Sequence, residues 1–237
     1  MNGSNSGRMD SRTLGAALAF LAGYVDALAF LALFGLFTAH VTGNFILIGA
    51  ALADPDHSSV LLKLLAFPAF VGGVATARIL AVVAEKRGGA VLRLAYLLEL
   101  VLLAGFMGCG IAAAPIGSDA GALAMTAGLL GTAAMGAHSA TSRLCLGHLA
   151  PTSIMTGNVT QIVIDTVDVL RGADDPGLRS RFAKFLWPLL AFAVGCVAAA
   201  FGFRWFGFAA LAVPVAILAG LVMLEAPLAG PAQARGT

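Results

Sequence analysis

The chain has 237 residues, 59% of them hydrophobic and 11% charged, with a mean hydropathy of +0.94 and a formal net charge of +2. A soluble domain carries roughly 25% charged residues, so this chain cannot cover a water-exposed surface, and most of it must face lipid or apolar protein. The small net charge and the absence of a long basic tract also exclude a nucleic-acid binder, while the length suits about six membrane helices of ~20 residues.

Residues 1–13 are polar and carry Arg8 and Arg12. They read as a cytoplasmic N-terminal segment, because the apolar run behind them is too long for a signal peptide. That run, residues 14–53, would span ~60 Å as one helix, about twice the hydrocarbon thickness. It must break, and Gly, Thr, His and Asn cluster at 35–44. The expectation is a span over 14–34 and a short helix over 45–53. A polar loop follows at 54–59, with Ser58 or Ser59 as a helix cap, then a span over 60–84, a basic turn at 85–89 and a span over 90–113.

The second part repeats this order. Residues 120–140 predict a Gly- and Ala-rich span, 159–170 a short helix, 171–184 the most charged loop, and 185–203 and 206–224 two further spans. The tail from 225 is rich in Ala, Pro and Gly. The break segment Phe37-Thr38-Ala39-His40-Val41-Thr42-Gly43-Asn44 has a counterpart in Pro151-Thr152-Ser153-Ile154-Met155-Thr156-Gly157-Asn158. Gly23-Tyr24-Val25-Asp26-Ala27 resembles Gly136-Ala137-His138-Ser139-Ala140, and the Gly72-Gly73 region resembles that around Gly195. The expected fold class is therefore an all-α membrane protein. It has about six transmembrane helices and two short re-entrant or broken helices, arranged as inverted-topology repeats over 14–113 and 114–224, with a tail at 225–237. Such repeats are typical of secondary transporters.

With six crossings and two partial helices, Arg8, Arg12, Lys86, Arg87, Arg93, Arg143, Arg171, Arg179, Arg181, Lys184 and Arg235 fall on one side. Only Lys63 and Arg204 fall on the other, and Arg78 lies within a span. The positive-inside rule then predicts both termini in the cytoplasm.

Asp26 is the sharpest candidate for chemistry. A carboxylate inside a span costs about 2.5–3.5 kcal/mol on insertion scales, so it must face a cavity, find a partner or bind a proton. A proton-coupling role stands beside a structural hydrogen bond. His40 and His138 can exchange protons near neutral pH or simply pack. Thr38, His40, Thr42, Gly43 and Asn44, with His138, Thr156, Gly157 and Asn158, form the expected substrate-binding set. In each Thr-Gly-Asn element Gly permits close backbone approach, Thr and Asn can cap the following helix, and the free helix N-terminus suits an anion. The alternative is two ordinary caps holding the repeat interface. Arg78 and Glu99 lie deep in apolar spans and are expected to pair structurally. Asp165 and Asp168 are either solvated or a proton relay.

No metal-ligand spacing occurs, and Cys109, Cys145 and Cys196 read as small apolar packing residues. No nucleophile motif, phosphate loop or dinucleotide fingerprint is present, so neither an enzyme nor a cofactor is expected. The expected partners are the bilayer and a small-molecule substrate, and self-association is left open.

The Gly23–Ala27 block, the Phe37–Asn44 block and the second Thr156-Gly157-Asn158 together resemble the YoaK family, also known as the DUF1275 family, of bacterial membrane proteins. The resemblance covers about 14–224 and implies a multi-pass inner-membrane protein without an established substrate. Where the family tends to carry Gly-Leu-Gln-Asn, this chain has Gly136-Ala137-His138-Ser139. The expected function is secondary transport of a small metabolite, with an anion best suited to the helix N-termini and Asp26 coupling protons. The alternative is a non-transporting scaffold or accessory subunit.

Overall fold

A computed structural model describes residues 9–53, 60–117, 119–172 and 176–225, and all its regular elements are helical. They are α1 (Ser11–Ala32), α2 (Gly43–Ala53), α3 (Val60–Lys86), α4 (Val91–Ala113), α5 (Ala122–Cys145), α6 (Met155–Leu170), α7 (Leu178–Phe206), a 3-10 turn (Gly207–Leu211) and α8 (Ala212–Leu224). The expected Ser58 or Ser59 cap lies outside the described residues, as do most of both termini.

Asp10 starts α1 by accepting the Thr13 N–H at 2.6 Å. That bond holds its carboxyl below the ordinary carboxylate range. At the other end Phe34 and Gly35 both take positive φ, 54° and 72°, and turn the chain into the first break. A left-handed phenylalanine costs of order 1–3 kcal/mol unless its surroundings hold it. Here the Phe34 carbonyl accepts from Lys63 Nζ at 2.7 Å. Lys63 is buried; its charge sits against the carbonyl-rich end of α1, where the helix dipole favours a cation.

Among the described residues, four stretches are long and apolar enough to cross a membrane: α1, α3, α4 and the run from Leu178 to Leu224. They expose Leu31, Ile79, Val101, Val194 and Phe201, the outward apolar surface that a multi-pass helical membrane protein presents to lipid. The helix α5 has 24 residues but is not among the four. Its Gly, Ala, Ser and Thr residues suit close packing rather than lipid contact, and it lies against α3 and α4.

The helix pairs α1–α7 and α3–α5 meet at glycines. A Cβ on Gly23 would run into the Phe192 carbonyl and one on Gly195 into the Phe20 carbonyl. A Cβ on Gly136 would run into the Phe70 carbonyl and one on Gly73 into the Ala133 carbonyl. Both crossings therefore bring backbone against backbone, the close approach that small residues permit between membrane helices. Leu18, Leu28, Leu62, Tyr96, Phe106, Met135 and Leu218 fill the core between the pairs.

Three helix starts differ from expectation: α8 begins only at Ala212, after α7 runs on to Phe206 and a 3-10 turn intervenes, and two others begin early. The segment 171–184 is not all loop, because α7 begins at Leu178 and carries Arg179, Arg181 and Lys184 on its first turns. Charged residues there read as loop although the first turn of a helix tolerates them at the membrane surface. The helix α6 begins at Met155, so Thr156-Gly157-Asn158 lies inside its first turn.

One end of the bundle gathers Asp10 and Leu14 at the α1 start, Leu92 and Tyr96 of α4, Cys145 and Leu146 at the α5 end, and Leu221 and Leu224 of α8 around a cavity of about 540 Å³. The helices α1 and α4 thus leave this end, and α5 and α8 arrive at it.

Candidate functional site

Asp26 stands toward the far end of α1 and is 4% exposed. Its Oδ1 accepts the backbone N–H of Thr38 and of Ala39, both at 2.7 Å, and the Thr38 hydroxyl at 3.1 Å. Its Oδ2 accepts from His40 Nδ1 at 2.6 Å. An ionised carboxylate accepts only, and every partner here is a donor, so the break segment wraps the charge and replaces its water. Asn44 closes the same segment from behind. Its Nδ2 donates to the Phe37 carbonyl at 2.7 Å and its Oδ1 accepts the Phe37 N–H at 3.0 Å.

His40 connects this buried charge to open space. Its side chain is 39% exposed against 6% for that of Asp26, and the ring meets Phe37 and Phe192 edge-on at 6.2 and 5.6 Å. Asp26, His40, Phe37, Ile46, Phe192 and Cys196 line a broad-mouthed cavity of about 710 Å³. With Nδ1 donating to Asp26, Nε2 is the ring nitrogen left for a ligand or water.

The second break is built alike but with different groups. His138 on α5 is 2% exposed. Its Nδ1 lies 2.9 Å from Glu99 Oε1 and its Nε2 2.8 Å from Thr152 Oγ1. Against an ionised Glu99, Nδ1 must donate, and in a neutral ring Nε2 then accepts the threonine proton. Thr152 stands where Thr38 stands in the first break, six residues before Asn158 as Thr38 is before Asn44. Each break is thus tied to the preceding long helix through this threonine. Glu99 Oε2 and Tyr96 Oη are buried without a hydrogen bond among the described residues.

Asn158 repeats half of the Asn44 clamp. Its Nδ2 donates to the Pro151 carbonyl at 2.8 Å and weakly to Met155 Sδ at 3.5 Å, while its Oδ1 is buried without a partner among the described residues. The cause is in the sequence: proline has no N–H to offer, where Phe37 supplies one.

These contacts correct several expectations. Thr42, Thr156 and Gly157 are exposed, and neither threonine nor either asparagine is a side-chain cap of α6 or α2 in the expected sense. The N-cap of α6 is Ile154, without a side-chain bond, and the asparagines reach seven residues back. The two Thr-Gly-Asn elements also do not meet, since α2 packs on α3 and α6 on α7. Arg78 and Glu99 do not pair. Arg78 lies on an outward face of α3 with Glu85 Oε1 at 3.8 Å, whereas Glu99 is on the inward face of α4 beside His138. Asp165 is not solvated but fully buried, accepting from Arg181 Nε and Gln161 Nε2, both at 2.9 Å. Asp168 is half-buried on the same helix.

Sequence reasoning missed Thr152, Tyr96 and Lys63 as polar members of the interior. Thr152 had a signal, its register against Thr38; the other two had none beyond lying in apolar runs. Among the described residues, no group of three or more His, Cys, Asp or Glu could hold a metal ion.

No curated protein and no solved structure matches the chain. A family model described as "Protein of unknown function (DUF1275)" matches residues 14–224, from early α1 to the end of α8. With that match over nearly all of its helical body, the chain belongs to the DUF1275 family.

Proposed function

We propose that the protein is a secondary transporter of the bacterial inner membrane, moving a small anionic metabolite in exchange with or alongside protons handled by Asp26. The observation that carries the reading is the Asp26–His40 pair. It is a buried carboxylate wrapped by a broken segment, bonded to a histidine that faces a cavity. A proton taken up at His40 Nε2 makes the ring a cation and its bond to Asp26 charge-assisted, a change in the charge of the pair of the kind that biases a two-state element.

Three further features support transport. The reciprocal glycine crossings, the asparagine clamps and the threonine ties recur in the same order in both halves, as two repeats of opposite orientation would have them. Six crossings, with α2 and α6 as partial helices, keep the basic residues on the side of the N-terminus. The large apolar cavity gives a ligand a place beside the break.

The second reading is a non-transporting membrane scaffold or accessory subunit. It draws on the separation of α2 from α6 and on the closed Glu99–His138–Thr152 site. Reconstitution into liposomes with an internal pH dye and a panel of small metabolites separates the two. Transport predicts substrate-dependent proton flux in the parent that Asp26→Asn abolishes. Flux unchanged by Asp26→Asn would refute the coupling role, and no flux with any anion would favour the scaffold.

A further inference from the structure

The end of α5 and the second break enclose a cavity of about 360 Å³ lined by Ser139, Ser142, Arg143, Gly147, Pro151 and Ser153, among others. Ser139 and Ser142 or Arg143 are three and four residues apart on α5 and so share one face of the helix. Ser153 comes from the break and is 7% exposed. Among the described residues, none of the three serine hydroxyls has a hydrogen-bond partner, and Arg143 has no carboxylate within ion-pair distance. Ser139 and Ser142 are half-buried and Arg143 is exposed, so these groups open on the cavity with their hydrogen-bonding capacity free for a ligand.

The corresponding place in the first half is the cavity beside Asp26. Ser139 lies three residues after Gly136 as Asp26 does after Gly23, and Arg143 seven after as Phe30 does. Pro151 lies seven before Asn158 as Phe37 does before Asn44. Both positions are cavities, so the second is not a chance dent in the surface. Their chemistry differs: the Asp26–His40 pair in an otherwise apolar wall in the first, an arginine and hydroxyls in the second, with no carboxylate on its wall. Arg143 also suits the negative end of α5, but that role does not call for three serines around it.

We propose that this cavity binds a small oxyanion, a carboxylate or phosphate group, with the Arg143 guanidinium taking two oxygens and the hydroxyls of Ser139, Ser142 and Ser153 donating to the remainder. An arginine fork matches such groups in geometry as well as charge. The proposal names the anion site of the transport reading, but it is tested by binding rather than flux. Binding without transport would uphold the site and count against the transporter.

The test uses the full chain in neutral detergent, titrated calorimetrically with inorganic phosphate and with succinate. The same titrations are run in nanodiscs of phosphatidylcholine alone and with added phosphatidylglycerol. The expected result is binding by the parent that Arg143→Gln weakens about tenfold or more, Ser153→Ala weakens less, and Arg143→Lys partly retains. If the occupant is free anion, phosphatidylglycerol leaves the affinity unchanged. If it is a lipid headgroup, phosphatidylglycerol competes with phosphate in the parent and not in Arg143→Gln. Thermal midpoints of the ligand-free variants equal to the parent's show that they fold. A parent that binds phosphate, succinate and phosphatidylglycerol no better than a folded Arg143→Gln variant overturns the proposal.

Discussion

Asn44 and Asn158 hold equivalent positions but do unequal work, and alanine at each measures the difference. Asn44→Ala removes two hydrogen bonds and leaves both the N–H and the carbonyl of Phe37 without their partner. At about 1–2 kcal/mol for each buried group left unpaired, the loss is about 2–4 kcal/mol. Asn158→Ala removes the donor bond to Pro151 and a weak one to Met155 Sδ but also removes the Oδ1 that already lacks a partner among the described residues, so the effects oppose one another and the loss stays below about 1 kcal/mol. For a chain of this size 1 kcal/mol shifts the thermal midpoint by about 2–4 °C. Asn44→Ala should therefore fall by about 4–16 °C and Asn158→Ala by less than about 4 °C. Thiol-reactive dye unfolding in detergent, at one scan rate for all variants, reads this directly. A further arm restores the missing donor: in a Pro151→Ala background, Asn158→Ala should cost more than it does in the parent, a coupling that a double-mutant cycle isolates. Equal midpoint losses for the two single variants would refute the reasoning, because the asymmetry rests wholly on the proline.

The other expectations concern packing and charge. Alanine at Gly23, Gly73, Gly136 or Gly195 meets a backbone carbonyl and should cost about 1–3 kcal/mol. Alanine at the helical Gly72 or Gly108, where nothing lies within 4 Å, should be neutral or stabilising by about 0.5–1 kcal/mol; the same thermal assay checks both. Arg181→Gln leaves buried Asp165 without its cation and should destabilise by about 1–3 kcal/mol after allowance for the arginine's partial exposure. Arg78→Gln, from an exposed pair at 3.8 Å, should change stability by less than about 0.5 kcal/mol.

The two breaks were legible because apolar runs longer than a bilayer must stop somewhere, and the Gly35–Asn44 and Pro151–Asn158 segments offered residues able to stop them. Asp26 was legible because a carboxylate in such a run needs a partner. Which partner was not, since hydropathy gives depth but not facing. Arg78 and Glu99 stand at comparable depth, yet one points outward and the other inward, and His138, 39 residues from Glu99, takes the place assigned to Arg78. The asparagines were misread for a different reason. Capping is a rule about neighbours, and Asn44 and Asn158 satisfy backbone groups seven residues away, across a loop whose shape the sequence does not state. The Asp26–His40 bond falls between these cases. Both residues were singled out from sequence, but the folding back of the break that joins them depends on the left-handed turn at Phe34 and Gly35.

The glycine crossings bear on how the protein is made. Gly23 lies against α7, and its carbonyl takes a contact from Cys196 Sγ, 173 residues further along the chain. At ~5–20 residues per second of synthesis, α1 waits ~9–35 s in the bilayer before the helix that fits its groove is translated. During that interval its buried Asp26 has only the break segment for company. The early wrapping of that carboxylate by Thr38, Ala39 and His40, all within 14 residues of it, lets a nascent chain keep a charged helix in the membrane until its partner arrives.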